Sequence, residues 1–282
     1  MDMQNKTRTN LVQQIDGCNV QKNSLLITHM GQEGVAIKGE SGRVLYFDLY
    51  LSDYVKEVDP ESCPRNFPPP VLPAEISNAN YYFITHHHLD HLDPVTVKEV
   101  SKASPKCIFV IPKAHVSILK NLGINDSRIF PVNAGKVYII DGIKFHVLAC
   151  KHEEFETDSD GNHFYVGYIV YLDGICFYHA GDTLVYSELI NEVKSHQIDA
   201  AYIPINGRDY FRNEIDLLGN MNYREAVHFI QSIHVNVFIP CHYDLFEHNY
   251  ENPSYLVDYL YQKDRTQKFK MMVPGEKYYY VR

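Results

Sequence analysis

The stretch Thr85-His86-His87-His88-Leu89-Asp90-His91-Leu92-Asp93-Pro94 decides how this chain is read. It starts where the apolar run 81–85 stops, and within it His86, His88, Asp90 and His91 offer nitrogen and oxygen donors. In an extended chain, side chains alternate between faces, so His86 and His88 project to one side while His87 points away. Two imidazoles on one side can share a metal ion. Asp90 and His91 follow in the turn, aimed back at a second ion about 3.5–4 Å from the first, the spacing of two-metal hydrolytic sites. The bland alternatives are a strand-end polar cluster or a tag-like histidine run. Against both, the run is internal, follows an apolar strand and carries an acid at a fixed offset.

Composition narrows the function classes. The 282 residues carry 26 Lys+Arg against 35 Asp+Glu, a net charge of −9, with no clustered basic stripe. Nucleic acid is therefore not an expected ligand. No apolar run approaches the ~18 residues of a bilayer span, so no membrane partner is expected either. The polar start with Lys6 and Arg8 lacks the apolar region of a secretory signal, and the expectation is a cytoplasmic protein. Cys18, Cys63, Cys107, Cys150, Cys176 and Cys241 are dispersed with no CxxC pair, which fits reduced thiols and neither a disulfide framework nor a cysteine zinc site.

Working outward from the motif, residues 1–23 read as a polar lead-in with a helix at 7–15, and residues 24–282 as one domain. Strand-like runs at 25–28, 35–38 and 44–49, parted by glycine turns, predict an antiparallel meander. Residues 59–73 hold six of the 14 prolines and predict a long surface loop. Helices are expected at 94–101, 115–122, 187–196, 222–233 and 254–262, the fourth with Asn222 and Glu225 at capping-box spacing. Between them lie strands at 108–111, 137–140, 143–150, 165–171, 175–178, 200–203, 235–239 and 278–281. Strands bearing helices in each half predict an α/β fold of two mixed β-sheets packed together with helices outside.

The HxHxDH pattern at a strand end resembles the metallo-β-lactamase superfamily, whose fold is a four-layer αβ/βα sandwich. Later residues match its ligands in order: His152 after strand 143–150, Asp182 in His179-Ala180-Gly181-Asp182-Thr183, and His242 in Pro240-Cys241-His242. The resemblance implies one ion on His86, His88 and His152, a second on Asp90, His91 and His242, and Asp182 bridging them. An all-imidazole and carboxylate set suits two divalent transition-metal ions, Mn, Zn or Fe. His87 and His179 are expected to pack behind the ligands, and His115, His228 and His234 to lie on the surface.

Within the superfamily the chain looks most like the L-ascorbate-6-phosphate lactonase group, through Leu45-Tyr46-Phe47-Asp48, His196-Gln197-Ile198-Asp199-Ala200, Asn220-Met221-Asn222 and Ile239-Pro240-Cys241-His242-Tyr243-Asp244. That likeness implies a hydrolase in which a hydroxide opens the lactone ring of a phosphorylated sugar acid, with Asp90 orienting it and shuttling the proton. A phosphodiesterase or phospholipase D-type hydrolase of the same fold is the alternative. The partner expected is a small anionic substrate, with Asn206, Arg208 and Tyr210 as candidate contacts and Arg208 suited to a bidentate phosphate pair. The alternative for Arg208 is a solvated loop cation. Lys151 beside His152 either assists an anion or faces water. The tail Tyr278-Tyr279-Tyr280 predicts a strand and a contact for a homo-oligomer.

Overall fold

The computed structural model describes residues 11–59, 61, 64–215 and 217–282. They divide into two compact units, each built on one sheet. The first comprises the residues up to Val132 with Asp173–Ile175 and Met272–Arg282; the second comprises Asn133–Leu172 and Cys176–Met271.

The first unit carries a seven-stranded mixed sheet in the order β14-β1-β2-β3-β4-β5-β6. β1 (Ser24–Gly31), β2 (Gly34–Lys38) and β3 (Val44–Phe47) form the expected antiparallel meander. β4 (Tyr81–Phe83), β5 (Ile108–Pro112) and β6 (Ile129–Val132) continue it in parallel. The tyrosine tail is strand β14 (Lys277–Val281), antiparallel to β1. Strand β6 escapes sequence reading because Pro131 interrupts its apolar run; at a sheet edge a proline costs no ladder bond. Leu26, Met30, Ala36, Tyr46, Tyr82, Phe109 and Ile111 share one core with Val97 and Val100 of helix Pro94–Ala103. Leu11, Val12 and Ile15 of helix Leu11–Gly17 join that core, so the described part of the lead-in is integral to this unit. Residues 7–10 of the expected first helix lie outside the described residues.

The second unit carries another seven-stranded sheet, β13-β12-β11-β10-β9-β8-β7. β7 (Lys136–Ile140), β8 (Ile143–Ala149) and β9 (Val166–Leu172) run antiparallel. β10 (Ile175–His179), β11 (Ala200–Pro204), β12 (Val237–Cys241) and the two-residue β13 (Lys268–Phe269) run parallel. Helices Ser187–Lys194, Tyr223–Ile233 and Pro253–Lys263 cover one face, contributing Leu189, Val193, Phe229, Ile230, Leu256 and Leu260 to its core. Each such side chain contributes roughly 1.5–3 kcal/mol when fully buried. Asn222 accepts from the amides of Arg224 and Glu225 while Glu225 accepts from Asn222, the expected capping box. Both faces of each sheet's central strands are buried, which explains why β1, β2, β9 and β10 read as apolar runs instead of alternating. Two mixed sheets flanked by helices make the α/β class expected from the sequence.

Candidate metal centre

In the first unit the ligand motif lies beyond β4 in a turn, where the amides of His91 and Leu92 both donate to the His88 carbonyl, at 3.0 and 2.7 Å. The His86 and His88 rings stand 4.6 Å apart and those of His86 and His91 4.0 Å apart, so three imidazoles converge. His87 turns aside and packs at 4.6 Å on His115. His115 is thus a correction to the sequence reading: at 7% exposure it is buried, because the single turn Lys113–His115 after β5 folds it against the histidine loop. Asp90 Oδ2 stands 3.6 Å from His91 Nε2 and accepts from Gln32 Nε2 at 2.8 Å.

Asp48, which sequence reasoning did not place in the site, organises this loop. It follows β3 at φ +41°, a conformation that a non-glycine residue adopts at a cost. Its fully buried carboxylate accepts from the Thr85 amide at 2.9 Å and from the Thr85 hydroxyl, and it meets His91 Nδ1 at 2.9 Å. Thr85 Oγ1 lies 2.9 Å from His86 Nδ1. In both imidazoles Nδ1 is engaged by the scaffold, which makes Nε2 the candidate metal-binding atom; for His91 the partner is a carboxylate, as in carboxylate–histidine–metal arrangements. Asp48, His86 and His91 form a candidate metal-holding group within this unit. The available signal was the acid closing Leu45-Tyr46-Phe47-Asp48.

In the second unit the remaining candidate ligands follow strand ends, His152 after β8, Asp182 after β10 and His242 after β12. The Leu184 amide donates to the Lys151 carbonyl at 2.8 Å and the Lys151 amide to Thr183 Oγ1 at 3.1 Å, which lays the His152 loop beside the Asp182 loop. Gly167 permits this closeness, since a Cβ there would meet the Ala180 carbonyl at 2.6 Å. His242 follows β12 at φ +57°, which breaks the extended backbone just past the strand. Asp182 Oδ2 then lies 3.5 Å from His152 Nε2 and 3.6 Å from His242 Nε2. Those spacings exceed a good hydrogen bond. They match the roughly 3.4 Å that separates two donors each about 2.1 Å from one tetrahedral ion. A buried carboxylate between two imidazoles fits a metal on either side. His179, also fully buried, stacks instead on Tyr202 at 5.5 Å.

The outer residues behave differently from the expectation. Arg208 does not present its fork outward: its Nη1 and Nη2 donate to both Glu225 oxygens at 2.8 and 3.0 Å, and Nη1 donates to the Asn220 carbonyl at 3.2 Å. Glu225 also receives the Asn222 amide; burial raises its pKa, and the Arg208 and Asn222 bonds outweigh that and hold it below the usual carboxylate range. Tyr210 is 68% exposed, on the first turn of a short helix capped by Asp209. Asn206 is fully buried and donates to Asn249 Oδ1 at 2.8 Å. Lys151 pairs at 3.4 Å with the exposed Glu154.

Residues 58–243 match the family described as Beta-lactamase superfamily domain. The UPF0173 metal-dependent hydrolase of Methanoculleus marisnigri is 28% identical over 211 residues, 73% of this chain and 82% of the relative. That of Thermococcus onnurineus is 30% identical over 177 residues, 61% of this chain and 70% of the relative. Among solved structures, Igni18, a metallo hydrolase from Ignicoccus hospitalis, superposes with a TM-score of 0.68 at 19% identity, covering 92% of this chain and 99% of that one, a likeness of fold.

Proposed function

Since the chain belongs to the beta-lactamase superfamily, among the UPF0173 metal-dependent hydrolases, we propose that it uses two divalent transition-metal ions to open a lactone ring. The substrate we propose is a small anionic sugar-acid lactone, phosphorylated as in L-ascorbate 6-phosphate. One ion would be held by His86, His88 and His152, the other by Asp90, His91 and His242, with Asp182 between them. Such ions, Mn, Zn or Fe, acidify water and polarise a carbonyl when bound.

The observation that carries this reading is Asp182, whose Oδ2 has an imidazole Nε2 on each side at 3.5 and 3.6 Å. This chain's own residues supply the rest. Asp48 and Thr85 fix the tautomers of His91 and His86. Gln32 orients Asp90, which would accept the proton of the attacking water and return it to the departing ring oxygen. The lactone reading draws its support from the segments shared with the lactonase group, Asn220-Met221-Asn222 among them.

The test is metal analysis of mildly purified protein followed by parallel assays on the 6-phosphorylated lactone, the unphosphorylated lactone and bis(p-nitrophenyl) phosphate. Up to two ions per chain and turnover of the lactones are expected. Turnover of the phosphodiester alone would replace lactonase by the phosphodiesterase alternative, and a protein that neither carries nor takes up metal would remove both.

A further inference from the structure

We propose that Asn220 is a substrate-positioning residue, whose buried carboxamide binds an oxygen of the substrate beside Asp182; this deepens the metal-dependent hydrolase reading above and rests on it. Asn220 has 0% exposure, and neither its Oδ1 nor its Nδ2 has a hydrogen-bond partner among the described residues. A buried amide left unpaired on both sides costs the full desolvation of each group, so a fold that only needed to fill this space would be better served by an apolar side chain of the same size.

The backbone around Asn220 is nonetheless built to keep it there. The Met221 amide donates to the carbonyl of Thr183, the residue after Asp182, at 3.3 Å. The Met221 carbonyl accepts from the Gly207 amide at 3.2 Å, and Arg208 holds the Asn220 carbonyl. Next to it, a Cβ at Gly219 would stand 1.8 Å from the Gly207 carbonyl, so no other residue fits without displacing backbone. Asn220 is thereby pinned between the loop that bears Asp182 and the loop that follows β11. Both lie at the carboxyl ends of parallel strands, where open α/β sheets bind ligands. A second buried carboxamide on the β11 loop, Asn206, also keeps its Oδ1 unpartnered among the described residues.

The chemistry suits an oxygen-rich anion. A carboxamide offers one donor group and one acceptor without charge, so Nδ2 can meet a phosphate or carboxylate oxygen while Oδ1 takes a substrate hydroxyl. A site built to bond such a group discriminates against analogues lacking it, because its own buried groups are then left unpaired.

The test uses the full-length, metal-loaded protein with Asn220→Leu and Asn220→Asp, inorganic phosphate being the calorimetric probe. For Asn220→Leu the expected result is an unchanged or higher Tm, unchanged metal per chain and phosphate affinity weaker by about tenfold. Asn220→Asp, which loses the donor and adds a like charge, should bind phosphate no better. A lower Tm, failure to fold, or phosphate affinity equal to wild type in Asn220→Leu would each overturn the proposal, as would a metal-loaded wild type that binds no phosphate. If the wild type takes up no metal, the hydrolase reading fails by itself, and the proposal is then judged on Tm, a lower value in Asn220→Leu overturning it.

Discussion

His91 Nδ1 lies 2.9 Å from Asp48 Oδ2, with both side chains wholly buried. The contact commits the proton of His91 to Nδ1, which makes Nε2 the lone-pair atom offered to a candidate metal. The same carboxylate holds the Thr85 amide, so one acid shapes the start and the end of the histidine loop. Removing such an orienting carboxylate typically weakens metal affinity 10–100-fold. Asp48→Ala is expected to show a loss of that size in competition with a chromophoric chelator, together with a lower Tm, because the Thr85 amide loses its acceptor inside the core. Wild-type affinity would mean that the histidine is held by packing alone.

Asp182→Ala should lose metal and activity together, since one carboxylate is flanked by two imidazoles. His87→Ala should retain its metal, because that ring packs on His115. Elemental analysis of the two purified variants compares them directly, and equal metal loss would contradict the assignment of His87 as a packing residue.

Arg208→Ala is expected to act on stability and not on substrate choice. Its guanidinium grips Glu225, which also caps helix Tyr223–Ile233, and the pair is about one-third exposed. A partly exposed pair of this kind contributes up to about 1 kcal/mol, which lowers Tm by roughly 2–4 °C in a domain of this size. Turnover of phosphorylated and unphosphorylated lactones should fall equally. A selective loss on the phosphorylated compound would give Arg208 a role in phosphate recognition, either as a direct contact or through Asn220, whose carbonyl it holds.

His29 gives the fold a pH dependence of known sign. Burial pushes its pKa from 6.5 down to about 4, opposed in part by the Glu276 carboxylate. Between those values the unfolded chain binds a proton that the folded chain refuses. Stability is therefore complete above about pH 6.5 and declines as pH falls towards 4, by at most about 3 kcal/mol from this one group. His29→Gln in chelator-treated protein should show a flatter Tm profile over that window than wild type, and parallel profiles would assign the acid sensitivity to other groups.

Much of the architecture was legible in the chain because the signals are local. The meander of β1 to β3, the capping box at Asn222 and Glu225, and the tyrosine strand β14 each follow from periodicity or a cap within a few residues. The edge strand β6 was hidden by Pro131, whose tolerance depends on lying at a sheet edge. His115 was misread for a related reason: nothing near it in sequence says that the turn after β5 meets His87.

The spacing of His86, His88, Asp90 and His91, with His152, Asp182 and His242 each just past a strand, was determined by the sequence alone, because ligand type and strand ends are one-dimensional properties. Which groups hold those ligands in place was decided by tertiary structure. Asp48 reaches His91 across 43 residues, and Arg208 reaches Glu225 instead of a ligand, because a buried carboxylate or a half-buried guanidinium must find its partner wherever the fold brings one within about 3 Å.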